Sequence, residues 1–156
     1  MRKRIIDQEQ LASAEQGWLD LEALVEVEIT SEHPEHPIEF ALLAEHSTTG
    51  WRAAGAGKQI LRLLFDQPQA LSLIKLKFVE TLVERSQEYS LHWSADMSQP
   101  LQEIARQQWN FSPTGSTVEI EEHQVELAAM MVLELQVVPD ISGGDMPATL
   151  EQLQLM

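Results

Sequence analysis

Arg106-Gln107-Gln108-Trp109-Asn110-Phe111, with Ser112-Pro113 behind it, gathers in one short run the side chains that recognise polyhydroxylated molecules. An aromatic face stacks on the C–H face of a pyranose ring. Asn and Gln donate and accept at once, and Arg offers a rigid fork of donors. Arg106, Gln108, Trp109 and Asn110 are therefore candidate contacts for a carbohydrate or similar small polar ligand, with Arg85 and His36 as secondary candidates from other loops. The competing reading is structural: Trp109 and Phe111 plug one end of a core while the polar groups cap loop backbone. Asn110-Phe111-Ser112 is formally a glycosylation sequon, which the following proline and the want of a signal peptide discount.

Other constellations are weaker. Glu32-His33-Pro34-Glu35-His36-Pro37, with His46 nearby, holds two imidazoles and carboxylates. Proline favours extended backbone, so the histidines need not converge as they would on a helical face, and a solvated loop is expected. The helical H-E-x-x-H order is missing. Gly55-Ala56-Gly57-Lys58 fails as a phosphate-binding loop: Arg52 stands where a glycine is required, Gln59 follows the lysine, and a strand follows instead of a helix. Asp140-Ile141-Ser142-Gly143-Gly144-Asp145 reads as a turn between strands. No serine stands in a nucleophile-elbow context, and the lack of cysteine excludes thiol chemistry. The reading is non-enzymatic, with no metal or cofactor expected.

The elements that must position these residues are strands. In 24–30, Val25, Val27 and Ile29 alternate with glutamates. In 73–78, Ile74, Leu76 and Phe78 alternate with Lys75 and Lys77, and in 88–93 Tyr89, Leu91 and Trp93 share a face. Period-two alternation is the mark of half-buried antiparallel sheet. Residues 60–65 form a further strand, closed by a turn at Asp66-Gln67-Pro68-Gln69. Residues 38–43 suit one or two helical turns, and 101–111 are irregular. Val118 and Ile120 alternate with Glu119 and Glu121, residues 131–138 form the most apolar strand, and 150–155 form the last. Residues 1–22 read as an extension with a helix-compatible run at 8–16, ended by Gly17. One domain, 23–156, follows. Trp51, Trp93, Phe65 and Phe78 are assigned to the core, enclosed with Tyr89, Leu91, Met131 and Leu133 between two stacked layers.

The chain has 156 residues, 25 acidic against 10 basic, and a net charge of -15. So few cations make poor work of displacing counterions, which argues against nucleic acid and anionic membrane as partners. No stretch approaches the ~20 apolar residues of a membrane span. Asp7-Gln8-Glu9-Gln10 interrupts the start too soon for a signal peptide, so a cytoplasmic protein is expected.

The order of the pieces resembles discoidin domains, also called coagulation factor V/VIII type C domains, of the galactose-binding-like superfamily. Thr30-Ser31-Glu32, Ile38-Glu39-Phe40-Ala41-Leu42 and Thr48-Thr49-Gly50-Trp51 resemble the family's opening. Residues 59–78 look like its next strand pair, divided by a D-x-P-x turn. Glu88-Tyr89-Ser90-Leu91-His92-Trp93-Ser94-Ala95-Asp96 is similar to its x-Y-x-V-x-Y-S-x-D strand, and 131–155 resembles its closing pair. The resemblance implies an all-β, eight-stranded antiparallel jelly-roll sandwich with a short N-terminal extension. It implies a non-catalytic binding module whose loops at one end hold a ligand. The alternative it leaves open is a protein-interaction module, with a protein as partner. Many members carry an Asp-Gly that helps hold structural calcium. Leu43-Ala44 stand there, and although Glu45, Asp140 and Glu151 could compensate, no site is expected because leucine offers no hard oxygen.

Overall fold

The computed structural model of the chain describes residues 1–3, 17–43 and 49–156. A single helical turn, α1 (Leu21–Leu24), leads into β1 (Val25–Ile29), and a second turn, α2 (Glu39–Leu42), precedes β2 (Trp51–Arg52). The body is then strand: β3 (Gln59–Val79), β4 (Arg85–Ser94), β5 (Gln102–Phe111), β6 (Val118–Val138), β7 (Thr149–Leu150) and β8 (Gln152–Leu155). All pairings are antiparallel.

Two strands of 21 residues, β3 and β6, organise everything else. They pair along their whole length, but the register slips between Leu64 and Leu73. Pro68 sits in that slip, where it lacks an amide donor for the ladder. The turn expected at Asp66–Gln69 is therefore a kink inside one strand, not a boundary between two. The expected strands at 118–121 and 131–138 are likewise one, because the glutamate-rich run between them keeps the two-residue alternation.

The kinks let each long strand serve two layers. One layer runs in the order β1, first half of β3, second half of β6, β4, β5. The other holds the second half of β3 between the first half of β6 and β8. Tyr89 on β4 stacks on Phe78 on β3 with centroids 5.3 Å apart, which places the two inner faces in contact. The expected sandwich holds, with β6 central as its apolar second half implies.

Trp51, Phe65, Phe78, Tyr89, Leu91 and Leu133 are buried in the core, while Trp93 packs against it half-buried. Met131 departs from expectation. Within the register slip, opposite Gln69, Met130 takes the fully buried place and Met131 stays partly exposed. The helix-compatible run at 8–16 lies outside the described residues. Leu19 donates its amide to the Leu155 carbonyl and Leu21 is buried, so residues just before 23 already pack on the body.

Candidate functional site

Strand register decides which loops meet. Ile29 pairs with Leu61, Gln59 with Val137, Glu88 with Val138, Arg85 with Phe111, and Val79 with Val118. Segments 30–37, 53–58, 80–84, 112–117 and 139–148 therefore gather at one end of the sandwich. They come from five separate crossings of the chain, so this end can vary in chemistry while the layers beneath stay fixed.

Arg85 ties these loops together. Its Nε donates to Glu80 Oε1 at 2.8 Å, and Nη1 donates to the Pro139 carbonyl at 2.7 Å and to Gln87 Oε1 at 3.1 Å. Nη2 reaches Thr149 Oγ1 at 3.3 Å, and the guanidinium lies 4.8 Å from the Phe111 ring centroid. Glu80 uses its second oxygen to accept from the Leu82 amide. With side chains 1% and 6% exposed, Arg85 and Glu80 form a buried pair. As a candidate ligand contact Arg85 is misplaced: its fork is spent on the protein, and it acts beneath the loops rather than on them.

The run from Arg106 to Phe111 is strand, not irregular segment, and the pleat divides it. Arg106, Gln108 and Asn110 pair with Ser90, Glu88 and Ser86 on the outer face of the first layer. There Arg106 bonds Glu88 at 2.6 Å and Glu103 at 2.7 Å, Gln108 donates to Glu88 at 2.8 Å, and Asn110 accepts from the Ser86 hydroxyl at 2.7 Å. The bond from Gln108, then that from Arg106, holds the Glu88 carboxyl below its usual range. Trp109 points to the opposite face, partly buried against the core, and its indole N–H donates to Ser116 Oγ at 3.1 Å. Proximity in sequence does not become proximity in space, because neighbours on a strand look opposite ways. Of the six candidates, His36, Asn110 and Trp109 lie at or beside the loop end, Arg106 and Gln108 on the outer sheet face, and Arg85 inside.

His36 has an unforeseen neighbour. The His36 amide donates to the His33 carbonyl at 2.9 Å, closing a turn with Pro34 at its second position. Proline's fixed φ suits that position, so it brings the two histidines together where extended backbone was expected. The His33 amide donates to the Arg52 carbonyl at 2.8 Å and the Arg52 amide to the His36 carbonyl at 3.1 Å, seating the turn against β2. Beneath it, the Trp51 indole N–H donates to the Ser31 carbonyl at 3.1 Å.

Between the layers lies a polar seam that sequence reasoning missed. Glu119 is fully buried, accepts from Gln87 Nε2 at 3.2 Å, and has one oxygen without a partner. Desolvation, then the neighbouring Glu121 carboxyl and its charge, push the Glu119 carboxyl up to about 8. The Tyr89 hydroxyl meets His123 Nε2 at 2.7 Å. Burial raises the Tyr89 pKa and lowers that of His123. The missed signal was the strand's phase: Val118 and Ile120 are 40% and 55% exposed, so Glu119 between them turns inward. A concavity of about 410 Å³ opens elsewhere, on the outer face, lined in part by Glu28, Arg62, Ser94, Asp96 and Gln99.

Neither a protein-family model nor a curated protein sequence matches the chain. Solved structures do. A family 32 carbohydrate-binding module of Clostridium perfringens NanJ, in complex with galactose, superposes with a TM-score of 0.63 at 13% identity, covering 88% of this chain and 96% of that one. A second module, from a family 31 glycoside hydrolase of Clostridium perfringens, gives 0.65 at 14% identity, covering 92% and 96%. Chitosan-binding module 1 of a Paenibacillus sp. IK-5 chitosanase/glucanase gives 0.60 at 14% identity, covering 85% and 94%. The chain thus shares the fold of these modules. Similar sandwiches also occur within enzymes: 84% of this chain matches 24% of a Ruminococcus gnavus GH29 fucosidase.

Proposed function

We propose that this chain is a non-catalytic module that binds a carbohydrate through the loops gathered at one end of its sandwich. The observation that carries this reading is the near end-to-end match to carbohydrate-binding modules, with 96% of the NanJ module covered. Those modules are described with galactose, with 4,5-unsaturated mannuronic acid and with pectin. The geometry supports the placement. Arg85 and Glu80 hold the loops from within, leaving His36, Asn110 and the edge of Trp109 as polar and aromatic contacts at or beside that end. Arg106 and Gln108, engaged with Glu88 on the outer sheet face, play no part in this version of the site. Catalysis is left to whatever the module serves.

A glycan array on the purified chain tests the reading. Binding to a restricted set of neutral or acidic glycans, weakened at least tenfold in Asn110→Ala or His36→Ala, is expected. No glycan retained at millimolar concentration would overturn it.

A further inference from the structure

We propose that the turn His33-Pro34-Glu35-His36 is a binding site for a divalent transition-metal ion of the zinc or nickel class. His33, Glu35 and His36 each direct one ligand atom into a common space, and these atoms all lie within 4.8 Å of one another. Ligands of one tetrahedral metal at ~2.05 Å stand about 3.3 Å apart. The cluster therefore needs to contract by roughly 1.5 Å at most, within reach of side-chain rotation at partly or fully exposed positions.

The backbone is already organised for this. The turn is closed by the His36 amide on the His33 carbonyl at 2.9 Å and clamped to β2 by two bonds with Arg52. The rings sit with centroids 5.5 Å apart and planes at 58°, so both can present a nitrogen to one point without stacking. Two imidazoles and one carboxylate suit borderline transition ions rather than calcium or magnesium, which prefer all-oxygen sets. Three protein ligands leave a fourth position for water. The net charge of -15 also favours a cation.

One bond must yield. The Glu35 amide donates to His33 Nδ1 at 3.1 Å. Coordination through Nδ1 takes that lone pair, and coordination through Nε2 places the ring proton on Nδ1. Either route releases the Glu35 amide, which gives the site a signature separate from simple adsorption of cations to an acidic surface. Because the turn is anchored near Trp51 through Ser31, the ion would also stiffen one of the loops at the end proposed for glycan binding. The site itself does not depend on that proposal.

The experiment is calorimetric titration of the untagged full chain with zinc chloride and with nickel chloride, in millimolar magnesium to occupy unspecific carboxylates. One equivalent is expected to bind with micromolar affinity and to displace the Glu35 amide resonance in a parallel NMR titration. His33→Ala and His36→Ala should each weaken it at least tenfold. Glu35→Gln, an exposed change that leaves the fold undisturbed, should weaken it several-fold. Affinity no tighter than millimolar, or affinity unchanged in the two histidine variants, would overturn the assignment. Glycan binding measured with chelator present separates its fate from the carbohydrate reading.

Discussion

Glu119→Gln asks directly whether a carboxyl is held protonated between the layers. The unfolded chain releases this proton near 4.5, whereas the folded protein, through burial and Glu121, retains it up to about 8. Between those values the native state binds more protons than the unfolded state, so stability falls as pH rises. At ~1.4 kcal/mol per pH unit the gap corresponds to at most about 5 kcal/mol. Relaxation and water penetration soften the penalty on a buried charge, so the expected loss from pH 5 to pH 8 is about 2–3 kcal/mol. His123 acts the other way: burial lowers its pKa, so its contribution is lost as pH falls below about 6.5. Glutamine keeps an oxygen for Gln87 Nε2 and gives the oxygen now without a partner an N–H₂ that can donate to Glu121. Urea unfolding followed by tryptophan fluorescence at pH 5, 6.5 and 8 reads the difference. The variant should match the wild type at pH 5 and exceed it by about 2–3 kcal/mol at pH 8. Parallel profiles, or a variant weaker at pH 8, would refute a protonated interior Glu119.

Arg85→Met should cost about 3–5 kcal/mol, since it strands Glu80 in the interior; Glu80→Gln with Arg85→Met should recover part of the loss by urea unfolding. Arg106→Met, whose partners Glu88 and Glu103 sit at the surface, should leave the unfolding midpoint little changed. Gly50 has φ +69°, and a methyl there would lie 2.6 Å from Glu151 Cα, so Gly50→Ala should cost about 3 kcal/mol or more and displace the β2–β7 pairing, measured by thermal unfolding.

The layers were largely legible because their inner faces are apolar and strictly alternating. Val25-Glu26-Val27-Glu28-Ile29 and Tyr89-Ser90-Leu91 carry their orientation in their composition. Legibility ended where polar residues turn inward or a breaker is tolerated. Pro68 suggests a turn, yet a kinked strand absorbs it because the slipped register needs no bond there. β5 was hidden because it is an edge strand rich in glutamine, with little apolar contrast between its faces. Glu119 ran against hydrophobic phase altogether: its strand turns Val118 and Ile120 to solvent so that glutamates and His123 can meet Gln87 and Tyr89.

The candidate site was legible in its ingredients and not in its arrangement. Arg106, Gln108 and Trp109 have suitable chemistry, but a strand sends alternate residues to opposite faces, and no adjacency in the sequence overrides that. Arg85 carries the right donors and spends them on Glu80, Gln87, Pro139 and Thr149. His33 and His36, which an extended loop need not bring together, are joined by the turn that Pro34 favours.

Chemical-shift mapping of the isotope-labelled chain during titration with a glycan chosen from the array tests the central claim most directly. Perturbations confined to segments 30–37, 53–58, 80–84, 112–117 and 139–148, with Asn110 and His36 among the largest, are predicted. Shifts centred instead on Arg106 and Gln108, or on the outer concavity beside Arg62 and Asp96, would contradict a ligand site built from the loops.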